Sequence, residues 1–387
     1  HVGRGPLCYR DDSPLRATDV SLFGGITTRL TGCRAVFCTV NTPHRVAVAG
    51  CQKADITKPT TGDGHGHGIG SNQVVAVGSV VLSLDAELGW GFHDLPNPPA
   101  KRVEAGRRGW STMLELLEEY RIPATWAVVG HLMLESCDGR HADHPAPEGW
   151  FERERTDWQD RPDIRFGPDL VRALLASDVD HEFASHSFSH VLFGRPETDR
   201  DLAVAELERS LEIAADWEQS VESFIYPRND VGHRDVLAEQ GVGAYRSKSP
   251  TGYGIRCIVD LTVRNRSLLV TPTVDEHGLV DIPASLFLFG FEGSARTVAE
   301  SVWDDPMVAL ARYGIDQATD RDGIFHMWLH PNNLTDERDD RRMRAILSYL
   351  AQRRAETALT VETMADVAHR VTGVTAESGV KPTVSRR

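Results

Sequence analysis

The strongest constraint on the fold is a rhythm that begins near residue 76, where short apolar runs alternate with longer amphipathic stretches. VVLSLD (80–85) is a continuous apolar run ending in a carboxylate, the pattern of a strand covered on both faces. Residues 101–120 follow with Trp110, Met113, Leu114, Leu116 and Leu117 at helical spacing. ATWAVVG (124–130) reads as a second buried strand, HEFASHS (181–187) as a third, FIYP (224–227) as a fourth, AYRS (244–247) as a fifth and IFHMWLH (324–330) as the last. Helices are expected between them: one opened by Pro168, a long one over about 197–218, RDVLAEQG with its terminal Gly, one near 295–313 and a charged one over 336–355. Residues 250–294 read as loops and short strands. Repeated βα units of this kind imply a parallel sheet, open or closed into a barrel.

Two segments depart from the rhythm. An insertion rich in Pro, Asp, Trp and Arg occupies about 135–167. Residues 1–75 show no strand–helix alternation and carry eight Lys/Arg against five Asp/Glu, opposite in sign to the whole chain's −14. They read as a poorly ordered, dispensable extension ending in DGHGHGIG (63–70), a flexible linker in preference to a loose metal site. The domain division expected is therefore extension 1–75, barrel 76–375 and tail 376–387.

The net charge of −14 argues against nucleic acid or an anionic membrane as partner. No run of about 18 apolar residues exists to span a bilayer. LTGC (30–33) has the look of a lipoprotein cleavage box, but Arg29 interrupts the segment before it and no basic region leads in. The chain accordingly reads as cytoplasmic. Four of the six cysteines (Cys8, Cys33, Cys38 and Cys51) fall in the first 51 residues, and Cys137 and Cys257 stand far apart, so no disulfide or zinc-ribbon framework follows.

Polar residues collect at the strand ends. Asp85 and Glu87 close the first strand, His186 and His190 follow the third, Pro227 to Asn229 follow the fourth, Arg246 ends the fifth and His330 ends the last. In a parallel α/β barrel the carboxyl ends of the strands share one mouth, where the active site forms. Two imidazoles four residues apart can both reach a divalent ion at about 2.0–2.1 Å, with a carboxylate as third ligand. The competing account of His186 and His190 is ordinary hydrogen-bonded residues closing a strand. His181, before the strand, reads as structural.

In order and spacing, SLDAELGWG (83–91), PATWAVVGH (123–131), HEFASHSFSH (181–190), SFIYPRND (223–230) and MWLHPNNL (327–334) resemble the successive motifs of the polysaccharide deacetylases, the NodB-like group also called carbohydrate esterase family 4. The resemblance covers about residues 78–370. It implies a distorted (β/α) barrel, usually of seven strands. It also implies a divalent metal, commonly zinc, used to hydrolyse the N-acetyl group of an amino sugar in a polymer or glycan precursor.

Carried over by that resemblance, His186 and His190 match the histidine ligands, Asp85 the general base and His330 the histidine that protonates the leaving amine. The family's second aspartate, the usual ligand, is replaced by Ala86. Glu87 lies on the same strand face as Asp85 and is the expected third ligand, with Asp85 serving as both base and ligand as the alternative. The family's Arg that orients the catalytic Asp is also missing from its usual place. Arg228 is the expected substitute, Arg246 the runner-up, and a surface ion pair the bland account of either. Trp328, Asn229 and Arg246 complete the set as substrate-side residues, Trp328 as a floor for a sugar ring or else as core filler.

The function expected is removal of N-acetyl groups from a glycan by a Zn2+-type hydrolase, with the N-acetylated glycan as partner and the oligomeric state left open. The alternatives are a small-molecule amidase or deformylase on the same barrel, and a glycan-binding protein with weak catalysis.

Overall fold

A computed structural model describes residues 78–249, 267–290 and 305–373. The expected extension 1–75 with its LTGC and His/Gly segments, the start of the helix near 295–313 and the tail 376–387 lie outside the described residues.

The described strands form one mainly parallel sheet that curls around a common interior. Ser79–Ala86 (β1) is buried along its whole length. It pairs in parallel with Thr125–Val128 (β2) on one side and Ile324–Leu329 (β9) on the other. From β2 the sheet continues through Glu182–Ser185 (β3), Ser223–Ile225 (β4) and Ala244–Arg246 (β5), all parallel. Residues 280–288 complete the ring. Their first part, Val280–Asp281 (β7), runs beside β5, with Ile282 and Ala284 N–H groups donating to Tyr245 and Ser247 carbonyls. Their second part, Leu286–Phe287 (β8), runs beside β9, with Ser285 N–H donating to the His326 carbonyl. This one segment spans two neighbours, so the ring has the distorted seven-strand form that the resemblance implies. The short Thr273–Val274 (β6) pairs antiparallel with β7, and Thr360–Glu362 (β10) pairs with the start of β1.

Alternation along the strands sorts the side chains. Leu82 and Leu84 face outward into the large core under the helices, where each buried side chain contributes about 1.5–3 kcal/mol. Val81 faces inward with Ala127, Ala184, Ile225 and Ala244, a small-residue cluster that the narrow ring accommodates. Met364, Val367 and Ala368 of the last helix, Met364–Thr372, close that interior from below. Above Val81 the inward positions of β1 turn polar, first Ser83 and then Asp85, both buried.

Helices lie between successive strands: Ala100–Tyr120 (α1), Pro168–Leu175, Arg200–Asp216, Arg234–Glu239, Pro306–Asp320 and Glu337–Glu356. Three start on aspartates whose side chains accept backbone N–H groups, Asp199, Asp305 and Asp336, a cap worth about 1 kcal/mol. The insertion contains only two four-residue helices, Glu152–Arg155 and Pro162–Arg165.

Candidate active site

The parallel register sets the strand ends at one level: Asp85 lies beside Ala127, Ala127 beside Ala184, and Arg246 beside Ile225. The polar residues singled out at those ends therefore surround one mouth.

Asp85 is 1% exposed. Arg246, fully buried at the end of β5, grips it with both terminal nitrogens, Nη1 to Oδ1 and Nη2 to Oδ2, each at 2.7 Å. The guanidinium is itself fixed. Its Nε donates to Asn229 Oδ1 at 2.8 Å, its Nη1 to Ser83 Oγ at 3.0 Å, and its plane lies 4.3 Å over the Trp328 ring. Burial would raise the pKa of Asp85. The charge of Arg246, with His186 and His330 beside it, outweighs burial and holds the carboxyl below the usual range.

Arg246, not the expected Arg228, thus clamps Asp85. The backbone at Arg228 has a left-handed φ of 56°, and its side chain, 38% exposed, pairs with Asp94 at 2.5 Å on the surface. The strand-end Arg246 on β5 reaches across the ring to β1, whereas Arg228, in the loop after β4, lines the outer cleft with Glu87, His190 and His330. Asn229 and Trp328, expected on the substrate side, hold Arg246 instead, and Trp328 is 7% exposed.

Glu87 leaves β1 and begins a turn, Leu88–Phe92. Its Oε2 lies 3.2 Å from His190 Nε2 and 3.5 Å from His186 Nε2, and all three residues are buried. Its Oε1 accepts from Asn332 Nδ2 at 3.2 Å. Gly91 gives this carboxylate room: a Cβ there would fall 2.0 Å from Glu87 Oε1. His186 Nδ1 donates to the Ile225 carbonyl at 2.6 Å, which leaves the Nε2 lone pair facing Glu87. That Nε2 is buried without a hydrogen-bond partner among the described residues. Burial pushes His190 toward its neutral form. The Glu87 carboxyl is held well below its ordinary value despite burial, by the charge of His330 and its contacts with the two histidines.

Two imidazole nitrogens thus face the Glu87 carboxylate at hydrogen-bond range, and the three donor atoms lie within 4.8 Å of one another. A divalent cation would fit this set, and the Nδ1–carbonyl bond of His186 would then be its outer support.

The serines of HEFASHSFSH shape this loop. Ser187 N–H donates to Ser185 Oγ and His190 N–H to Ser187 Oγ. Ser189 binds the buried Glu206 of the helix Arg200–Asp216 through both its N–H and its hydroxyl. Ser187 and His190 adopt φ of 63° and 66°, a conformation uncommon outside glycine, and these bonds hold it. His181 accepts the Ala124 N–H at 3.2 Å, the structural place expected of it.

His330 stands across the mouth, its Nε2 3.7 Å from both Asp85 Oδ2 and Glu87 Oε1. Its Nδ1 lies 3.2 Å from Asn333 Oδ1. A cleft of about 210 Å³ opens above, lined by Glu87, Gly91, Arg102, His190, His330 and Asn332 among others. Asp85 lies one step deeper. A wider surface cleft of about 500 Å³, lined by Arg312, Arg338, Arg341 and Arg342, shares none of these groups.

Residues 92–241 match the family model described as Polysaccharide deacetylase. Over those residues the chain is similar to the polysaccharide deacetylase family. No curated protein matches the sequence. Among solved structures, the chain is similar to a putative polysaccharide deacetylase from Mycobacterium smegmatis, at 17% identity over 81% of this chain and 96% of that one, TM-score 0.47. A probable polysaccharide deacetylase from Pseudomonas aeruginosa PAO1 matches at 13% over 76% and 91%, TM-score 0.47. PuuE allantoinase matches at 12% over 76% and 90%, TM-score 0.49.

Several site residues were not singled out from the sequence. Ser83, Asn332 and Asn333 sit one or two positions from motif residues, and MWLHPNNL contains both asparagines. The small residue Gly91 closes SLDAELGWG. Arg102, on the α1 face above the cleft, carries no local signal.

Proposed function

We propose that this chain is a metal-dependent hydrolase that removes N-acetyl groups from amino sugars of a glycan. The observation that carries the reading is the pairing, within one mouth, of a carboxylate clamped in its ionised form with an adjoining Glu–His–His set.

Glu87, His186 and His190 would hold the metal. A divalent ion bound there supplies Lewis acidity and lowers the pKa of a water, which a base as weakened as the doubly clamped Asp85 needs. Asp85, ionised and unable to rotate, accepts a proton from the attacking water through the lone pairs that Arg246 leaves free. His330, held with its Nδ1 beside Asn333, turns Nε2 toward the cleft, where the protonated ring passes a proton to the departing nitrogen. The closed part of the cleft suits an acetyl group, with the sugar lying at its rim.

The small cleft also favours a second reading, an amidase or deformylase acting on a compact small molecule. One substrate panel separates them. Acetate release from N-acetylated oligosaccharides supports the glycan deacetylase. Release from O-acetylated sugars alone would turn the assignment to an esterase, and turnover of small cyclic amides or formamides alone would turn it to the second reading.

A further inference from the structure

A second ligand set lies in the insertion, apart from the mouth. His131 follows β2, Cys137 and His141 lie in the loop beyond it, and Glu154 belongs to the short helix Glu152–Arg155. His131 Nε2 is 3.1 Å from Glu154 Oε1 and 3.2 Å from Cys137 Sγ. Cys137 Sγ is 2.7 Å from Glu154 Oε1, and His141 Nε2 is 3.0 Å from Glu154 Oε2. The four donor atoms lie within 4.8 Å of one another. His131 and Glu154 are fully buried.

We propose that His131, Cys137, His141 and Glu154 bind a second divalent metal of the zinc class, as a structural site that fastens the insertion to the barrel.

Three observations support this. The first is the donor set. Two imidazole nitrogens, a thiolate and a carboxylate from four residues complete a tetrahedral zinc shell with bonds of about 2.0–2.3 Å, leaving no open position, the form of a structural site.

The second is orientation. His131 Nδ1 lies 3.3 Å from the Arg165 carbonyl. An N–H donated there turns the Nε2 lone pair toward the Glu154 carboxylate and the Cys137 sulfur. The imidazole and the carboxylate then meet as two acceptors beside the Cys137 thiol, which donates to Glu154 Oε1, and a cation would take that proton's place. Arg165 Nη1 reaches Glu154 Oε1 at 3.0 Å from the outer side, as a group that aims a metal-bound carboxylate does.

The third is what the segment needs. Between Leu134 and Phe151 the chain has no helix or strand, a length of irregular backbone uncommon in a compact domain unless something pins it. The pinning reaches the mouth. The His131 ring lies 4.3 Å from that of Trp90, which follows Glu87, and 5.5 Å from that of Phe188, between His186 and His190. A metal here would brace the back of the catalytic loop without touching substrate.

The site is independent of the proposed activity, and the test keeps the two apart. The full chain is purified in zinc and its metal content measured, then compared with Cys137→Ser, His141→Ala and His190→Ala. Two equivalents are expected in the parent. One should be lost in each of the three variants, and the cobalt-substituted protein should lose its thiolate-to-metal charge-transfer band in Cys137→Ser and His141→Ala but keep it in His190→Ala. A parent whose whole metal content disappears in His190→Ala, with no thiolate band, overturns the proposal. So does a Cys137→Ser protein with unchanged content and spectrum.

A measurement on the unaltered chain covers variants that fail to fold. Alkylation of Cys137 by iodoacetamide, read by peptide mass spectrometry under native conditions, should rise after chelation and fall again when zinc is returned. Equal alkylation in all three states contradicts the site.

Discussion

Arg246 and Asp85 meet end-on at the barrel mouth, two nitrogens to two oxygens at 2.7 Å, with the guanidinium backed by Trp328 and Asn229. A planar fork fits a carboxylate in this way and an ammonium does not. Arg246→Lys should therefore lower turnover strongly while the protein stays folded. Arg246→Ala should also cost about 3–5 kcal/mol of stability, because it strands a buried charge. Arg228→Ala should leave stability near the parent's value, since its ion pair with Asp94 is partly exposed, and should cost less turnover than Arg246→Lys because it does not touch Asp85. Acetate-release rates and denaturant melts of the three variants check this. A larger rate loss in Arg228→Ala than in Arg246→Lys would return the clamp to Arg228.

The proposed mechanism makes Asp85 the base and Glu87 a ligand. Asp85→Asn should keep the metal and slow turnover by about 10² to 10⁴-fold. Glu87→Gln should weaken metal binding, with part of the rate restored by excess zinc. Metal titrations alongside initial rates distinguish the two. Metal loss in Asp85→Asn, with Glu87→Gln intact in both respects, would make Asp85 the ligand.

Gly91→Ala tests the space behind the ligand. A methyl 2.0 Å from Glu87 Oε1 must displace that carboxylate, so metal affinity should fall by about 10- to 100-fold, the range seen when a ligand's support is altered. The circular dichroism spectrum should not change. Unaltered affinity would show that Glu87 does not hold the metal.

Acid should destabilise the barrel through a buried histidine. His326, fully buried with Nε2 2.9 Å from Ser83 Oγ, is pushed down to about 3 by burial and then by the Arg246 charge. Between about pH 6.5 and 3 the unfolded chain binds this proton and the folded chain does not. Unfolding free energy is thus fully retained above that window and falls as pH drops, at up to about 1.4 kcal/mol per pH unit. Urea melts from pH 7 to 5 should show a shallower fall in His326→Gln than in the parent. Equal slopes would mean that His326 takes up its proton in the folded state as well.

The barrel was legible because its strands are short apolar runs closed by polar residues, a period that leaves few alternatives. Asp85, Glu87, His186, His190 and His330 share a mouth because each follows a strand directly, where register alone fixes position. Arg228 and Arg246 could not be ranked from sequence, since a left-handed turn at Arg228 decides which way its side chain goes. The double duty of residues 280–288 was hidden because its first half pairs β5 and its second half β9, which breaks the single-strand pattern. The helix Met364–Thr372 went unread although Thr363 and Asp366 form a capping box at its start. The His131–Cys137–His141–Glu154 set has no compact motif, being spread across the segment whose composition reads as an irregular insertion.

The most direct test of the central claim is acetate release from N-acetylated oligosaccharides by the full chain, assayed as purified, after chelation and after zinc is returned. Release that disappears on chelation and comes back with zinc, in the parent but not in His186→Ala, is the predicted result. Undiminished release from protein shown by elemental analysis to be free of metal would contradict it.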